Sequence, residues 1–338
     1  MKTHFKIWIA ESYSCQIDII QLLKTASIAS SLTLYCSHSR LRPELQQTAD
    51  VFIQQPSLDE SAEWLLAQCK THQIDLLFCG KRGELFEPLR AQFEAAQIQL
   101  VTGAMSQTAH ELINHKYYFS ERCQQLGLPN IPAALVLNST DLKHAIATFK
   151  ARYHRICAKP VHGVYAAGFV QLKDDVSYFH HFQHPTHSHI QQFIEAYEQL
   201  DEAIPYLIMP FLAGTECSVD IACSRGNILD LVTRVKFDFY QECYTEHPCH
   251  EFAHALVKAF DCDGLINIQF RQDEQQQWNI LEINPRPAGG FAYTQHTGIN
   301  LIAALIAHKL VLNFQSKVQQ EMIRVLPQTH SIAMGTAS

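Results

Sequence analysis

Short apolar runs alternate with helical patterns over the first 105 residues of the chain. The apolar runs, which predict strands, cover residues 5–10, 32–35, 51–53, 74–79 and 98–101. Apolar residues repeat at the helical spacing over residues 15–28, 59–72 and 83–96. Strands that alternate with helices usually form an open, largely parallel sheet, so we expect an α/β domain over residues 1–105. No G-x-G-x-x-G follows the first run, so we expect no dinucleotide site there.

The next stretch, residues 106–155, has a mainly helical pattern. One long helix is predicted from the N-cap Ser106 to Gly127, because Pro129 follows as a stop signal. Lys116 then lies in the middle of this helix, beside aromatic residues. Most lysines in such a position are solvated, so the helical pattern alone assigns Lys116 no function.

A lysine stands at the end of a predicted strand, directly before a loop of small residues. The strand ends at Lys159, and the loop contains Gly163, Ala167 and Gly168 before a second strand begins. Small residues let backbone N–H groups approach phosphate oxygens, and the lysine adds positive charge. The loop is therefore a candidate phosphate-binding segment, with a plain β-hairpin as the alternative.

Further along, the apolar strand "PYLIMPF" leads into a short connector that could hold an adenine ring. Met209, Phe211 and Leu212 would offer an apolar face and backbone groups that read the edge of the ring. Glu216 on the next strand could accept hydrogen bonds from ribose hydroxyls, or simply face solvent. Arg234 lies on the predicted strand 228–236, where it could neutralise a phosphate or a substrate carboxylate.

The stretch 264–290 predicts a β-hairpin whose strands carry oxygen ligands to one end. The first strand carries Gln269, and the second carries Glu282, with Asn284 two residues later on the same face. Carboxylate and carboxamide oxygens suit magnesium, and the guanidinium of Arg286 just beyond them suits phosphate. We therefore expect a magnesium–triphosphate site here.

Charge and cysteine usage narrow the class of protein. The 26 Lys and Arg residues stand against 33 acidic residues, a net charge of -7, which argues against a dedicated nucleic-acid binder. The 11 cysteines are scattered without a C-x-x-C pair, which is typical of a reduced, cytoplasmic protein. No apolar run approaches the roughly 18 residues of a membrane span, and the N-terminus predicts a strand rather than a signal peptide.

Two histidine-containing segments leave a further metal site open. Residues 180–189 are rich in histidine, but Pro185 interrupts any helix there. Cys249, His250 and His254 lie close in sequence, and the two histidines are four residues apart on a predicted helix, a spacing that can bind zinc. The alternatives are a solvated surface segment for the first and ordinary helix packing for the second.

Together these motifs resemble the ATP-grasp enzymes, chiefly the carboxylate–amine ligases of the carbamoyl phosphate synthetase-like group. The resemblance covers about residues 107–312 and rests on "AKPVHGVYAAGF", "MPFLAGTECSVD" and "INIQF…ILEINPRPAGG", which follow in the family's order. It implies an α/β and α+β architecture, with an open parallel pre-ATP-grasp domain followed by an ATP-grasp fold of two α+β subdomains. The implied segments are a pre-ATP-grasp domain (1–105), a helical linker or A subdomain (106–155), a lid or B subdomain (156–212), a C subdomain with the metal site (213–324) and a tail (325–338).

The resemblance also implies a role for each candidate residue. The loop 163–168 would close over the ATP phosphates as a lid, and one or two Mg²⁺ or Mn²⁺ ions would accompany the nucleotide. The implied nucleotide-binding residues are Lys116, Lys159, Gly163, Ala167, Gly168, Met209, Phe211, Leu212 and Glu216. The implied metal ligands are Gln269, Glu282 and Asn284, and Arg286 would meet the transferred phosphate or the substrate carboxylate. With Arg234, proposed above from its strand position, Lys159 and Arg286 make up the candidate catalytic residues.

The implied function is an ATP-dependent ligase that joins a small carboxylate to an amine through an acyl-phosphate, with Mg–ATP bound between the two ATP-grasp subdomains. The alternatives are other ATP-grasp chemistry (carboxylation, thioester formation or another phosphoryl transfer) and a non-catalytic ATP-binding regulatory protein. The expected partners are small molecules rather than nucleic acid or membrane, and a homodimer is possible.

Overall fold

A computed structural model of the protein describes residues 2–163, 167–177 and 179–328. The first five strands along the chain form a parallel sheet. The strands and α-helices of the described residues are numbered in chain order. The strands are β1 (Phe5–Ile9), β2 (Leu32–His38), β3 (Val51–Gln54), β4 (Leu76–Phe78), β5 (Gln99–Val101), β6 (Gly103–Ala104), β7 (Ala134–Val136), β8 (Ile156–Pro160), β9 (Val170–Lys173), β10 (His187–His189), β11 (Tyr206–Pro210), β12 (Glu216–Ser224), β13 (Asn227–Lys236), β14 (Gln241–Tyr244), β15 (Cys262–Gln272), β16 (Trp278–Asn284) and β17 (Met322–Val325). The α-helices are α1 (Gln16–Thr25), α2 (Pro43–Thr48), α3 (Ser61–His72), α4 (Arg90–Ala95), α5 (Gln107–Asn114), α6 (Lys116–Gln125), α7 (Ser139–Lys150), α8 (His180–Gln183), α9 (Ile190–Glu198), α10 (Cys249–Ala259) and α11 (Leu301–Leu310).

Two units emerge from the contacts within the chain. The larger unit comprises Met1–Glu111, Cys217–Gln269 and Ile283–Ser338. The smaller unit comprises Leu112–Glu216 and Phe270–Glu282. The five segments that the resemblance implies are drawn on a different basis, and their boundaries stay a prediction.

The larger unit begins with the predicted open parallel sheet, which is confirmed. Its strand order is β3-β2-β1-β4-β5, and every neighbouring pair is parallel. Side chains on β1 point alternately to two cores, because successive strand residues face opposite sides of a sheet. Ile7 and Ile9 pack with residues of α1 and α11, whereas Trp8 packs with residues of α3. Both faces of this sheet are thus covered, as the continuous apolar runs require.

An antiparallel sheet completes the larger unit. Strand β12 pairs with β13, β13 with β14 and β14 with β17, all antiparallel. The predicted hairpin is present, since β15 and β16 are neighbours in the strand order, and β6 pairs with β15 at Cys262 and Asp263. Gly103 in β6 has a φ of +103°, and a Cβ there would lie 2.0 Å from the carbonyl oxygen of Pro285. Only glycine therefore fits this approach beside the predicted metal-binding strand.

The smaller unit has a sheet of order β10-β9-β8-β11-β7. Strand β8 is antiparallel to both β9 and β11, and β11 is antiparallel to β7. Helices α7 and α9 cover this sheet through an apolar cluster that includes Leu142, Ile146 and Ile194. This apolar cluster supports β8 and β11, whose ends carry predicted site residues.

One sequence-based expectation needs correction. The helix predicted over residues 106–127 is two helices, α5 and α6, because His115 between them has an extended backbone (φ -91°, ψ 93°). The His115 side chain also accepts a hydrogen bond from the N–H of Tyr118 and so caps α6. Lys116 therefore begins a helix instead of lying in the middle of one.

The first residue of the predicted tail, Val325, lies in a strand. Val325 is buried and ends β17, which pairs with β14, so residue 325 belongs to a sheet. Residues 329–338 of the predicted tail lie outside the described residues. Within the described part of the chain, no helix has the length and apolar character needed to cross a membrane.

Candidate active site

A lysine and a glutamate that were predicted on different strands meet in the smaller unit. Lys159 lies near the end of β8, and its Nζ is 2.6 Å from Oε2 of Glu282 on β16. The two side chains are 20% and 22% exposed, so each remains within reach of solvent. The carboxylate of Glu282 is thus already directed at a cation, as a metal ligand would be.

Lys116 brings a second ammonium group to this place. Its Nζ donates to the carbonyl oxygens of Gly163, at 2.9 Å, and of Val161, at 3.4 Å. Burial and the positive charge of Lys159 lower the pKa of Lys116 to about 8, against the opposite effect of Glu282. We call Lys116, Lys159 and Glu282 the lysine–glutamate cluster. Its two like charges favour an anion as a third partner.

The loop after β8 has the backbone that its small residues suggest. Gly163 has a φ of +135° and Gly168 a φ of +76°, a region that favours glycine. A Cβ at Gly168 would lie 2.7 Å from Cγ of Pro160, so glycine is required there for steric reasons as well. Ala167 is exposed beside it. Residues 164–166 of the predicted lid lie outside the described residues, so closure of the lid stays a prediction.

The predicted adenine connector has aromatic and charged neighbours. The N–H of Phe211 donates to the carbonyl oxygen of Arg155 at 3.0 Å, and its ring lies 6.3 Å from that of Phe169. The guanidinium carbon of Arg271 is 6.0 Å from the Phe211 ring, and Nη2 of Arg271 is 3.5 Å from Oε2 of Glu216. Apolar faces and a carboxylate therefore come together at one end of β11.

Met209 and Leu212 flank this group at half-buried positions on the same connector. Arg271 is a residue that sequence reasoning missed. It follows Gln269 by two positions on β15, and this spacing was a signal that could have found it. The buried Nε of Arg271 donates to no acceptor among the described residues.

The larger unit holds the remaining predicted residues of the hairpin. Nη2 of Arg286 is 3.2 Å from Oδ1 of Asn284, and the guanidinium of Arg286 lies 4.5 Å from the centre of the Tyr13 ring. Gln269 is half-buried on β15. Gln269 and Asn284 belong to the larger unit and Glu282 to the smaller one, so their shared metal site stays a prediction.

Comparison with known proteins identifies the fold. A protein-family model described as "ATP-grasp in the biosynthetic pathway with Ter operon" matches residues 202–330. An N5-carboxyaminoimidazole synthetase from Staphylococcus aureus has a TM-score of 0.66 at 15% identity, over 93% of this chain and 80% of that one. This protein has the ATP-grasp fold. The fold that the sequence motifs implied is thereby confirmed.

Other ATP-grasp structures are similar to a comparable extent. The biotin carboxylase domain of a 2-oxoglutarate carboxylase from Hydrogenobacter thermophilus, solved as a dimer with MgADP, ADP and bicarbonate, has a TM-score of 0.67 at 14% identity, over 94% of this chain and 72% of that one. An L-amino acid ligase from Bacillus licheniformis has a TM-score of 0.62 at 14% identity, over 92% and 76%. No curated protein matches the chain in sequence. Identities this low establish the ATP-grasp fold and leave the substrates open.

Arg234, a predicted catalytic residue, is buried inside the larger unit. It is 2% exposed, and its Nε and Nη2 both donate to the carboxylate of Asp220. Its Nη1 donates to Oε1 of Gln241 at 2.6 Å, and Asn267 donates to Asp220 at 3.0 Å. We call Arg234, Asp220, Gln241 and Asn267 the arginine cluster. Its internal bonds favour a structural role over contact with a phosphate.

The segments suggested as further metal sites are arranged differently from the sequence pattern. His180, His184 and His187 come within ligand distance of one another, but Nζ of Lys173 lies 3.4 Å from Nδ1 of His187. Cys249 has ligand-distance neighbours as well, and they are Cys217 and His247. Nε2 of His250 is instead 2.8 Å from Oγ1 of Thr233, and His254 is not part of the group.

Proposed function

We propose that the protein is an ADP-forming ATP-grasp ligase that joins a small carboxylate to an amine through an acyl-phosphate. The observation that carries the proposal is the lysine–glutamate cluster. Lys116 and Lys159 hold two ammonium groups beside the glycine-containing loop, and Glu282 supplies a carboxylate at 2.6 Å from Lys159. Such a group suits the phosphate end of ATP and its metal ion.

The reaction needs positive charge because both reactants are anionic. A carboxylate that approaches the terminal phosphate of ATP at 4 Å is repelled by about 4 kcal/mol at an effective dielectric constant of 20. Lys116 and Lys159 would offset this repulsion while they hold the phosphates in place. Little covalent chemistry is then asked of the protein, since positioning and charge neutralisation lower the barrier.

The donor set fits a magnesium or manganese ion. Glu282 offers a carboxylate, and Gln269 and Asn284 offer carboxamide oxygens, which are ligands for hard cations. In its present rotamer the Glu282 carboxylate accepts a hydrogen bond from the Lys159 ammonium, so it already faces a positive charge. One or two bound ions would supply neutralisation of phosphate charge, and Lys159 would then turn from Glu282 to a phosphate oxygen.

The nucleoside end of ATP fits the end of β11 and the connector that follows it. Met209, Phe211 and Leu212 would contact the adenine, and Glu216 would accept hydrogen bonds from the ribose hydroxyls. Arg271, 3.5 Å from Glu216, would orient that carboxylate, and its buried Nε needs an acceptor that a nucleotide could supply. We assign Arg271 to the nucleotide site for this reason.

Arg286 is the candidate for the anionic end of the second substrate. Its guanidinium is held over Tyr13 and beside Asn284, which leaves its fork in a fixed orientation. It would bind the transferred phosphate or the substrate carboxylate. The proposed partners are therefore a small carboxylate and an amine, and a homodimer agrees with the dimer reported for one neighbour.

A second candidate function is ATP-dependent carboxylation, with bicarbonate as the acid. Two observations favour it, since structural neighbours include biotin carboxylases and one was solved with bicarbonate. A non-catalytic regulatory protein is less well supported, because simple ATP binding would not need a carboxylate and carboxamide set of metal ligands.

Phosphate release from ATP distinguishes these functions. Purified protein with Mg²⁺ and ATP is tested against a matrix of amino acids and other small carboxylates, each with and without an amine, and against bicarbonate. A ligase should release phosphate only with an acid, and hydroxylamine in place of the amine should trap the activated acid as a hydroxamate. Release that depends on bicarbonate alone would favour the carboxylase. Nucleotide binding without phosphate release under any condition would contradict the proposal.

A further inference from the structure

Two cysteines and a histidine from separate parts of the larger unit come together, and none of them is among the predicted ATP residues. Cys217 is the second residue of β12, Cys249 is the first residue of α10, and His247 lies two residues before it. One ligand atom of each residue lies within 4.8 Å of the others, and the two sulfur atoms are 3.7 Å apart. We call these residues the cysteine–histidine group.

The group has a buried part and a part that solvent can reach. Both cysteines are fully buried, whereas His247 is partly exposed and lies on the solvent side. Nδ1 of His247 accepts the N–H of Cys249 at 3.3 Å, which places the imidazole ring beside Cys249. A metal ion bound by Nδ1 would take the lone pair that now accepts this hydrogen bond, so ligation would replace the bond.

The ligand types select a thiophilic cation. Thiolate and imidazole bind Zn²⁺ and similar ions well, whereas Mg²⁺ and Ca²⁺ prefer oxygen. Two thiolates balance the charge of one divalent cation, so the complex can be buried without a net charge. Cys249 also lies at the N-terminus of α10, an 11-residue helix whose dipole stabilises a thiolate.

We propose that Cys217, His247 and Cys249 bind one Zn²⁺ ion that ties the start of β12 to the start of α10. Three protein ligands leave a fourth position for water. The site uses none of the residues assigned to ATP, and it goes beyond the proposed ligase function. His250 is not one of the proposed ligands, because its ring forms a hydrogen bond with the hydroxyl of Thr233.

Cobalt substitution tests the site directly. The full-length protein, reduced and freed of metal, is titrated with Co²⁺ and then with Zn²⁺. We expect one Co²⁺ per chain, a sulfur-to-cobalt charge-transfer band in the near ultraviolet, and loss of the band when Zn²⁺ is added. A band that is missing from the wild-type protein would overturn the proposal.

Single substitutions assign the ligands. Cys217→Ser and Cys249→Ser should each weaken Zn²⁺ binding by more than about 100-fold, because loss of a mere outer-shell partner already costs about 10- to 100-fold. Cys223→Ser is the matched control, since Cys223 is an equally buried cysteine on the same strand and lies outside the group. Its Zn²⁺ affinity should equal that of the wild type, and equal losses in all three variants would overturn the assignment.

His247→Asn keeps the test decisive if a buried serine prevents folding. This ring is partly exposed, so the variant should fold, and its cobalt spectrum should change while that of His254→Asn stays as in the wild type. An oxidised alternative has its own signature. A Cys217–Cys249 disulfide formed with hydrogen peroxide, in a reduced protein that binds neither Co²⁺ nor Zn²⁺, would replace the metal site with a redox pair.

Discussion

The lysine–glutamate cluster and the arginine cluster use the same kinds of charge in opposite ways. In the arginine cluster, Arg234 is 2% exposed, and both carboxylate oxygens of Asp220 accept hydrogen bonds from its guanidinium. In the lysine–glutamate cluster, the Lys159 ammonium contacts the Glu282 carboxylate, and the Lys116 ammonium donates to two carbonyl oxygens. The Lys159 and Glu282 side chains are each about a fifth exposed. The first cluster is neutral and buried, whereas the second has an excess of positive charge.

This difference teaches which charged residues can take part in binding. A buried ion pair whose hydrogen bonds are all internal is expensive to open, because each charge would be left without a partner. A partly exposed group with surplus charge gains when an anion arrives. The two clusters should therefore respond differently to substitution, one in stability and the other in turnover and nucleotide binding.

Removal of Arg234 should have the largest effect, and the effect should be on stability. Arg234→Met leaves Asp220 as a buried carboxylate, and breaking a buried pair in this way costs about 3–5 kcal/mol of unfolding free energy. Urea unfolding followed by circular dichroism measures the loss. Arg40→Met, an exposed arginine of the same unit, is the matched control and should stay close to the wild type.

A second substitution distinguishes an orphaned carboxylate from loss of packing. Asp220→Asn in the Arg234→Met background removes the unpaired charge and should recover part of the stability. A folded Arg234→Met protein with wild-type stability but no phosphate release would contradict the structural role. It would support the catalytic role that the sequence suggested.

Removal of the Glu282 carboxylate should have the next largest effect, now on turnover. Glu282→Gln keeps the shape of the side chain but loses the charge that would hold the metal ion and Lys159. ATP turnover should fall about 100- to 1,000-fold, as it does when one electrostatic group is removed from an active site. ADP production in the presence of the substrates measures it.

The same hairpin offers a control for Glu282. Glu274 lies in the exposed turn between β15 and β16, and Glu274→Gln should keep wild-type turnover. ADP production by Glu282→Gln at the wild-type rate would show that the metal ligands have been assigned wrongly.

Loss of Lys159 should weaken nucleotide binding by a smaller amount. A hydrogen bond to a charged partner contributes about 1.5–3 kcal/mol, so Lys159→Ala should lower ATP affinity by roughly 10- to 100-fold. Isothermal titration calorimetry measures the affinity. Lys150→Ala is the matched control, because Lys150 belongs to the same unit and pairs with the exposed Asp174. Equal affinities for all three proteins would remove Lys159 from the phosphate site.

The fold was largely predictable because its periodicities are strong. Alternating apolar runs gave the parallel sheet, and the period-two pattern around Glu282 gave the hairpin of β15 and β16. The break at His115 was not predictable, since it depends on one extended residue that caps the following helix. Helical spacing continues across the break and conceals it.

The site was less predictable where it depends on partners distant in sequence. Strand alternation places Arg234 on one face of the sheet. It does not reveal that Asp220, 14 residues earlier, accepts hydrogen bonds from the Arg234 guanidinium. Cys249 was assigned to two nearby histidines, whereas its sulfur partner Cys217 lies 32 residues before it. The first contact joins the paired strands β12 and β13, and the second joins a strand to a helix, so neither leaves a local pattern.

The smallest predicted effect is a pH dependence that comes from Lys116. Its pKa of about 8 means that the ammonium form falls from about nine-tenths at pH 7 to about one-tenth at pH 9 in the ligand-free protein. Because ATP phosphates bind the charged form, affinity should fall by up to about tenfold over this range. Lys116→Arg remains charged throughout and should flatten the profile, whereas Lys143→Arg, at an exposed lysine of the same unit, should leave the wild-type slope. If the pH dependence of ATP affinity were the same for the wild type and Lys116→Arg, the charge of Lys116 would not be used to bind ATP. The positive charge that distinguishes the lysine–glutamate cluster would then come from Lys159 alone.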